Sequence, residues 1–223
     1  MSILRFHLMI GPPGSGKSRI AKILAPLLEA EIISTDEIRK KLYGNESIQG
    51  NWSEIKKVID NKIDFAISKN KSVIIDSTHA KRSWRLAYTQ DLNKVANIEW
   101  IGWVLTTEKS ICLSWNKKRK KVVPEPIIDE YCAALSNKYF GPIRGEGFAT
   151  IIKINPAKEK NIQQKLLNDI DSINFKISQG KRNDSAKKLH GYSNLIDFER
   201  LLFFIKLLLD FPNIDLENDY AKT

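Results

Sequence analysis

Gly11-Pro12-Pro13-Gly14-Ser15-Gly16-Lys17-Ser18 follows the apolar run Ile3 to Ile10 and leads into Arg19-Ile20-Ala21-Lys22-Ile23-Leu24. Two glycines with four residues between them, followed by Lys and Ser, make the G-x-x-x-x-G-K-[ST] phosphate-binding pattern. Its flanks are those the pattern needs, a buried strand before it and a helix start after it. Backbone N–H groups of such a turn, aligned with the dipole of the following helix, cradle a polyphosphate. Lys17 is placed to reach the β- and γ-phosphates and the Ser18 hydroxyl to sit on Mg²⁺. Arg19, one residue on, is counted with the nucleotide-binding set. At average glycine usage this match arises by chance in a chain of this length at about the per cent level. A nucleoside triphosphate with Mg²⁺ is therefore the expected ligand.

The bulk of the sequence agrees with a folded protein. Its 223 residues can bury a full core, and 42% of them are hydrophobic, which excludes disorder throughout. The net charge of +10 favours a polyanionic partner. Cys112 and Cys132 stand at no metal spacing and read as core thiols, so neither a disulfide scaffold nor a zinc site is expected. The first ten residues run as a strand into the loop and not as a signal peptide, which predicts a cytoplasmic protein. The longest apolar stretch, Leu201 to Leu209, is interrupted by Lys206 and too short to cross a bilayer, so no membrane partner is expected.

Apolar runs predict strands at 3–10, 31–34, 72–76, 98–105 and 148–154. Three- and four-residue spacing, as in Ile55, Val58, Ile59, Ile63 and Ile67, predicts helices at 17–29, 36–43, 52–69, 81–96, 107–118, 125–138 and 158–173. This alternation predicts an α/β fold, a mostly parallel sheet with helices on both faces, spanning residues 1–175. Beyond it, Ser178 to Ser185 reads as a polar connector to an apolar helix at about Asn194 to Phe211. Glu199, Lys206 and Asp210 give that helix one narrow polar stripe, so it is expected to bury most of its surface. Docking on the core is the favoured reading. An interface with a second copy or another protein is the alternative.

Ligands of parallel sheets bind beyond the carboxyl ends of the strands, so residues there carry most weight. Asp36 stands after the second strand, with Arg39 on the same helix face three residues on. A carboxylate there can take the proton of an acceptor hydroxyl, and the arginine can hold an anionic group of the acceptor. The plainer reading makes Asp36 a helix cap and Arg39 a solvated side chain. Asp76 ends the strand Val73-Ile74-Ile75 where a carboxylate supports Mg²⁺ directly or through water. Thr78 and His79 follow on the acceptor side.

Lys117-Lys118-Arg119-Lys120-Lys121 reads either as a nucleic-acid patch or as a segment closing over the nucleotide. Arg119, with its planar fork, is the candidate to stabilise the transferred group. Lys81-Arg82-Ser83-Trp84-Arg85 is a second basic and aromatic cluster, with Arg82 a candidate for the acceptor. A helix face burying Trp84 explains it equally well.

Four segments in order resemble the kinase domain of phage polynucleotide kinase and its P-loop relatives of the AAA and zeta-toxin type. They are Gly11–Ser18, Asp36-x-x-Arg39, Asp76-Ser77-Thr78, and Asn116-x-x-Arg119 running to Val123-Pro124, with Glu146-Gly147-Phe148 further on. The resemblance covers about residues 1–155. It implies Lys17 and Ser18 at phosphate and metal, Asp36 as general base, Arg39 on an acceptor phosphate, and Arg119 as the arginine of a lid. The family often carries arginine where Trp115 and Lys121 stand. Too few residues follow 175 for a phosphatase half, and Asp169-Ile170-Asp171 lies in a helical pattern.

The reading that results is ATP- and Mg²⁺-dependent phosphoryl transfer to a hydroxyl, with a polynucleotide 5′-hydroxyl as the favoured acceptor. A kinase acting on a nucleoside, sugar or antibiotic needs the same loop and aspartate without a basic groove. An ATP-binding regulatory or adaptor protein, docking through the C-terminal helix, is the alternative outside enzymology.

Overall fold

β1 (Leu4–Ile10) is fully buried from Phe6 onward and lies at the centre of the sheet. It pairs in parallel with β3 (Val73–Asp76) on one side and β4 (Ile98–Leu105) on the other. β2 (Glu31–Ser34) adds to β3 and β5 (Phe148–Ile154) to β4, giving a five-stranded parallel sheet of order β2-β3-β1-β4-β5. All five strands fall where the apolar runs place them. The computed structural model describes the backbone of residues 4–90, 98–119, 121–188 and 195–210, and side chains there except those of 184–188, 195–200 and 210.

Helices cover both faces. On one, α2 (Thr35–Tyr43), α3 (Trp52–Ser68) and α4 (Arg82–Thr89) bring Ile38, Ile55, Ile59, Ile63 and Tyr88 against Phe6, Leu8, Ile10, Ile33 and Ile75. On the other, α1 (Lys17–Leu27), α7 (Ile162–Asp171) and the start of α8 (Ile173–Lys188) pack Ile20, Leu24, Leu166, Ile173 and Ile177 onto Met9, Ile74, Trp103 and Ile152. Alternate residues of β1 thus serve opposite layers, as strand geometry requires. α5 (Lys109–Lys117) and α6 (Glu125–Ser136) pack on each other after β4. The final described helix is α9 (Leu195–Asp210).

Three expectations change. The polar stretch Ser178 to Ser185 is no connector: α8 runs through it, and apart from Gly180 none of its residues costs a helix much. The chain divides into the compact units Met1–Gly180 and Lys181–Thr223. In α9, Leu201, Leu202, Phe203, Phe204, Ile205, Leu208 and Leu209 are exposed, so the apolar circumference is not buried as its composition suggests. Cys112 is buried as expected, whereas Cys132 is half-buried. Residues 91–96 of the expected fourth helix, and Lys120, lie outside the described residues. Among the described residues no helix is long and apolar enough to cross a membrane.

Candidate active site

The loop Gly11–Gly16 leaves the carboxyl end of the central strand and turns at once into α1. Gly14 (φ 78°) and Gly16 (φ 96°) hold the left-handed backbone that glycine adopts without strain. At Gly14 a side chain is excluded twice, because a Cβ would also lie 2.2 Å from the Cys112 carbonyl oxygen of α5. Gly16 occupies the N-cap position of α1 without a side-chain cap, which leaves the first amides of the helix open to an anion. Two bonds from outside fix the loop: Gly11 N–H donates to the Thr78 carbonyl (3.0 Å), and Thr107 Oγ1 donates to the Ser15 carbonyl (2.8 Å). The Ser15 hydroxyl is buried with no protein partner.

Lys17 folds back over this loop and donates to the carbonyls of Gly11 and Pro12, both at 2.8 Å. Burial pushes its ammonium down to about 8; the like charge of Arg119 adds to that, and Asp76 and Asp36 oppose it. Asp76, Arg119 and Asp36 are thus the charged groups that act on Lys17. Asp76 ends β3, and its carboxyl is held above the usual range by burial, against the Ser18 hydrogen bond and the Lys17 charge. A hydroxyl and a carboxylate joined at the mouth of a phosphate loop fit Mg²⁺, which keeps few protein ligands and takes the rest from phosphate and water. No cluster of three His, Cys, Asp or Glu suited to a metal occurs among the described residues.

Asp36 is not a helix cap. Ser34 caps α2, its side chain accepting from Glu37 N–H, which leaves the Asp36 carboxylate free for other partners. Arg39 Nη1 lies 3.1 Å from Asp36 Oδ1, and the arginine side chain is only 15% exposed, so it is not solvated either. Its Nε is buried without a protein partner, a donor held ready. Lys121 Nζ also approaches Asp36 Oδ1, at 3.5 Å. Sequence reasoning places no partner on this lysine.

The cluster after β3 divides by burial. Arg85 is fully buried, forked onto Glu146 at 2.7 and 2.8 Å, and donates to the carbonyls of His79, Ala80 and Phe140. It takes no part in a surface for nucleic acid. Arg82 lies 3.6 Å from the same glutamate and borders a cavity of about 470 Å³ shared with Lys81, Ser83, Leu86, Asn137 and Phe140. Trp84 meets Tyr131 edge-on (5.9 Å), with Lys81 over its ring. His79 is buried in a left-handed turn (φ 46°), its Nδ1 2.7 Å from the Met9 carbonyl and its ring against Tyr88. Burial pushes its imidazole down to about 4, so it stays neutral and structural. Thr78 contributes its carbonyl to the loop. Asp169, bound by Lys165 and Lys176, is likewise structural.

Arg119 and Ser18 are exposed, as is Arg19. Trp115 of α5 and Pro156 stand within 4 Å of where a Gly16 Cβ would lie, and Pro156 carried no signal in the sequence.

A sequence model of the AAA domain family matches residues 6–137. A cytidylate kinase of Sulfurisphaera tokodaii is 40% identical over 76 residues, covering 30% of this chain and 42% of that protein. The chain therefore spans less than half the length of this relative. Among solved structures, a provisionally named kinase from Chloroflexus aurantiacus superposes with a TM-score of 0.58 at 13% identity, over 77% of this chain and 98% of that one. A sugar kinase from Janibacter sp. HTCC2649 gives 0.53 at 17%, over 76% and 95%. The Pnkp1/Rnl/Hen1 RNA repair complex gives 0.52 at 18%, over 60% of this chain and 45% of the matched one. At these identities the likeness is one of fold.

Proposed function

The chain belongs to the AAA domain family of P-loop proteins, and on that premise we propose that it moves the γ-phosphoryl group of ATP onto a hydroxyl, with a polynucleotide 5′-hydroxyl as the favoured acceptor. One observation carries the reading: Asp36 is released from capping by Ser34, held by Arg39, and close enough to Lys17 for their charges to couple.

The acceptor oxygen attacks the γ-phosphorus as its proton passes to Asp36, and the bond to the bridging oxygen breaks to release ADP. Lys17 holds the β- and γ-phosphates, and Arg119 stabilises charge on the group in flight. Mg²⁺ held by Ser18 and Asp76 would supply neutralisation of phosphate charge. Arg39, with an unpartnered Nε, suits an anionic group on the acceptor.

The net charge of +10 supports a polynucleotide, whereas the fold, shared with a sugar kinase and with the RNA repair complex alike, does not separate the acceptors. The stretch of 40% identity to a cytidylate kinase favours a second reading, a small nucleotide acceptor. γ-labelled ATP incubated with 5′-hydroxyl RNA, 5′-hydroxyl DNA, mononucleotides, nucleosides and sugars separates them. Label on oligonucleotides, with affinity falling steeply as salt rises, supports the first. Label confined to mononucleotides establishes the second. Label in no class, with ATP bound, removes the kinase reading.

A further inference from the structure

We propose that Lys121 is a positioning residue for Asp36: a cation from the basic segment between α5 and α6 fixes one carboxylate oxygen and leaves the other for the acceptor. The proposal rests on the kinase reading. The segment is tied at its base by Asn116, almost fully buried, whose amide donates to the Val123 carbonyl (2.8 Å) and accepts from Val123 N–H (3.0 Å). From that closed loop Lys121 reaches back to the other end of the chain. Its Nζ donates to the Glu46 carbonyl in the α2–α3 connection (2.7 Å) and lies 3.5 Å from Asp36 Oδ1.

The neighbouring cation behaves differently. Lys117 is 68% exposed and paired with Glu125 just beyond the segment, whereas Lys121 is only 19% exposed. Arg39 and Lys121 both address Oδ1, so two cations orient the carboxylate from one side, and Oδ2 is the oxygen left to meet a hydroxyl. Asp36 itself is 40% exposed, so solvent screens the pair and its worth lies in orienting the carboxylate more than in stabilising the fold. Arg39 is fixed on the same helix as Asp36, while Lys121 arrives with the segment that carries Arg119. The base is therefore complete only when that segment is in place, which ties the arginine at the phosphates to the carboxylate at the acceptor.

Two measurements on the full chain test this. In steady-state transfer at saturating ATP, with 5′-hydroxyl oligonucleotides and cytidine nucleotides as acceptors, Lys121→Met and Lys121→Gln should lower kcat about 10- to 100-fold. The acceptor KM and the ATP Kd should stay within about three-fold, and Lys121→Arg should recover most of the rate. A rise in KM alone, unchanged kcat, or no recovery with arginine overturns the proposal. Without any acceptor, competitive acetylation should label Lys121 more slowly than Lys117. Asp36→Asn should raise Lys121 labelling a few-fold without changing Lys117, and equal labelling in both proteins also overturns it. Transfer to no acceptor by the wild-type chain would instead sink the kinase reading, a result the labelling arm keeps separate.

Discussion

Arg85 and Glu146 form a forked ion pair in which both side chains are 0% exposed, and the remaining guanidinium donors bind the carbonyls of His79, Ala80 and Phe140. The pair joins the turn after β3 to the segment before β5. That turn carries the Thr78 carbonyl that receives Gly11 N–H, so a buried charge pair helps hold the phosphate loop in shape.

Breaking that pair leaves a buried charge without its main partner, Arg82 lying farther off at 3.6 Å from Glu146, which costs about 3–5 kcal/mol. Glu146→Gln and Arg85→Met should each lower the unfolding free energy by such an amount in denaturant titration. At temperatures where the variants remain folded, ATP affinity should fall as well. A stability loss under about 1 kcal/mol would show that the turn stands without the pair.

Two buried histidines make the fold sensitive to acid. His7 Nδ1 accepts from Trp103 Nε1–H at 3.0 Å, and burial pushes its imidazole down to about 3. His79 is pushed down to about 4 by the same cause. Both lie below the 6.5 of a free histidine, so the unfolded chain binds more protons in this range and stability rises with pH. The stabilisation is complete above about pH 6.5 and is lost as pH falls toward 4, by up to about 1.4 kcal/mol per pH unit for each histidine. Melting temperatures between pH 4.5 and 7 should show this slope, and His7→Gln should flatten it.

Lys17, pushed down to about 8 by burial, titrates where an ordinary lysine does not. Phosphates favour its charged form, so ATP binding near pH 9 should draw a proton from solution, whereas binding at pH 7 should not. Titration calorimetry in buffers of different ionisation enthalpy measures the uptake directly. Lys17→Met should abolish it along with most of the affinity.

Much of this was open to reading in the sequence because the physics involved is local. The five strands are apolar runs bounded by polar or glycine residues, and the loop pattern fixes its own strand–turn–helix context. The positions of Asp36, Asp76 and Lys17 beside strand ends were legible for the same reason. Long-range polar pairing was not legible: Arg85 looks like a surface arginine until Glu146, far along the chain, is brought beside it. Lys121 looks like one more lysine in a basic run until the fold carries it to Asp36. Ser178 to Ser185 misled because polarity and one glycine suggest a connector, although most of those residues tolerate a helix.

The account turns on Asp36 as the group that takes the acceptor proton. Asp36→Asn keeps the size of the side chain and removes its basicity, while Ser34 continues to cap the helix. Transfer of labelled phosphate from ATP to whichever acceptor the wild-type chain labels should fall at least 100-fold, with the Kd for ATP unchanged within about two-fold. Transfer at the wild-type rate, or an equal loss of transfer and ATP binding, would contradict it.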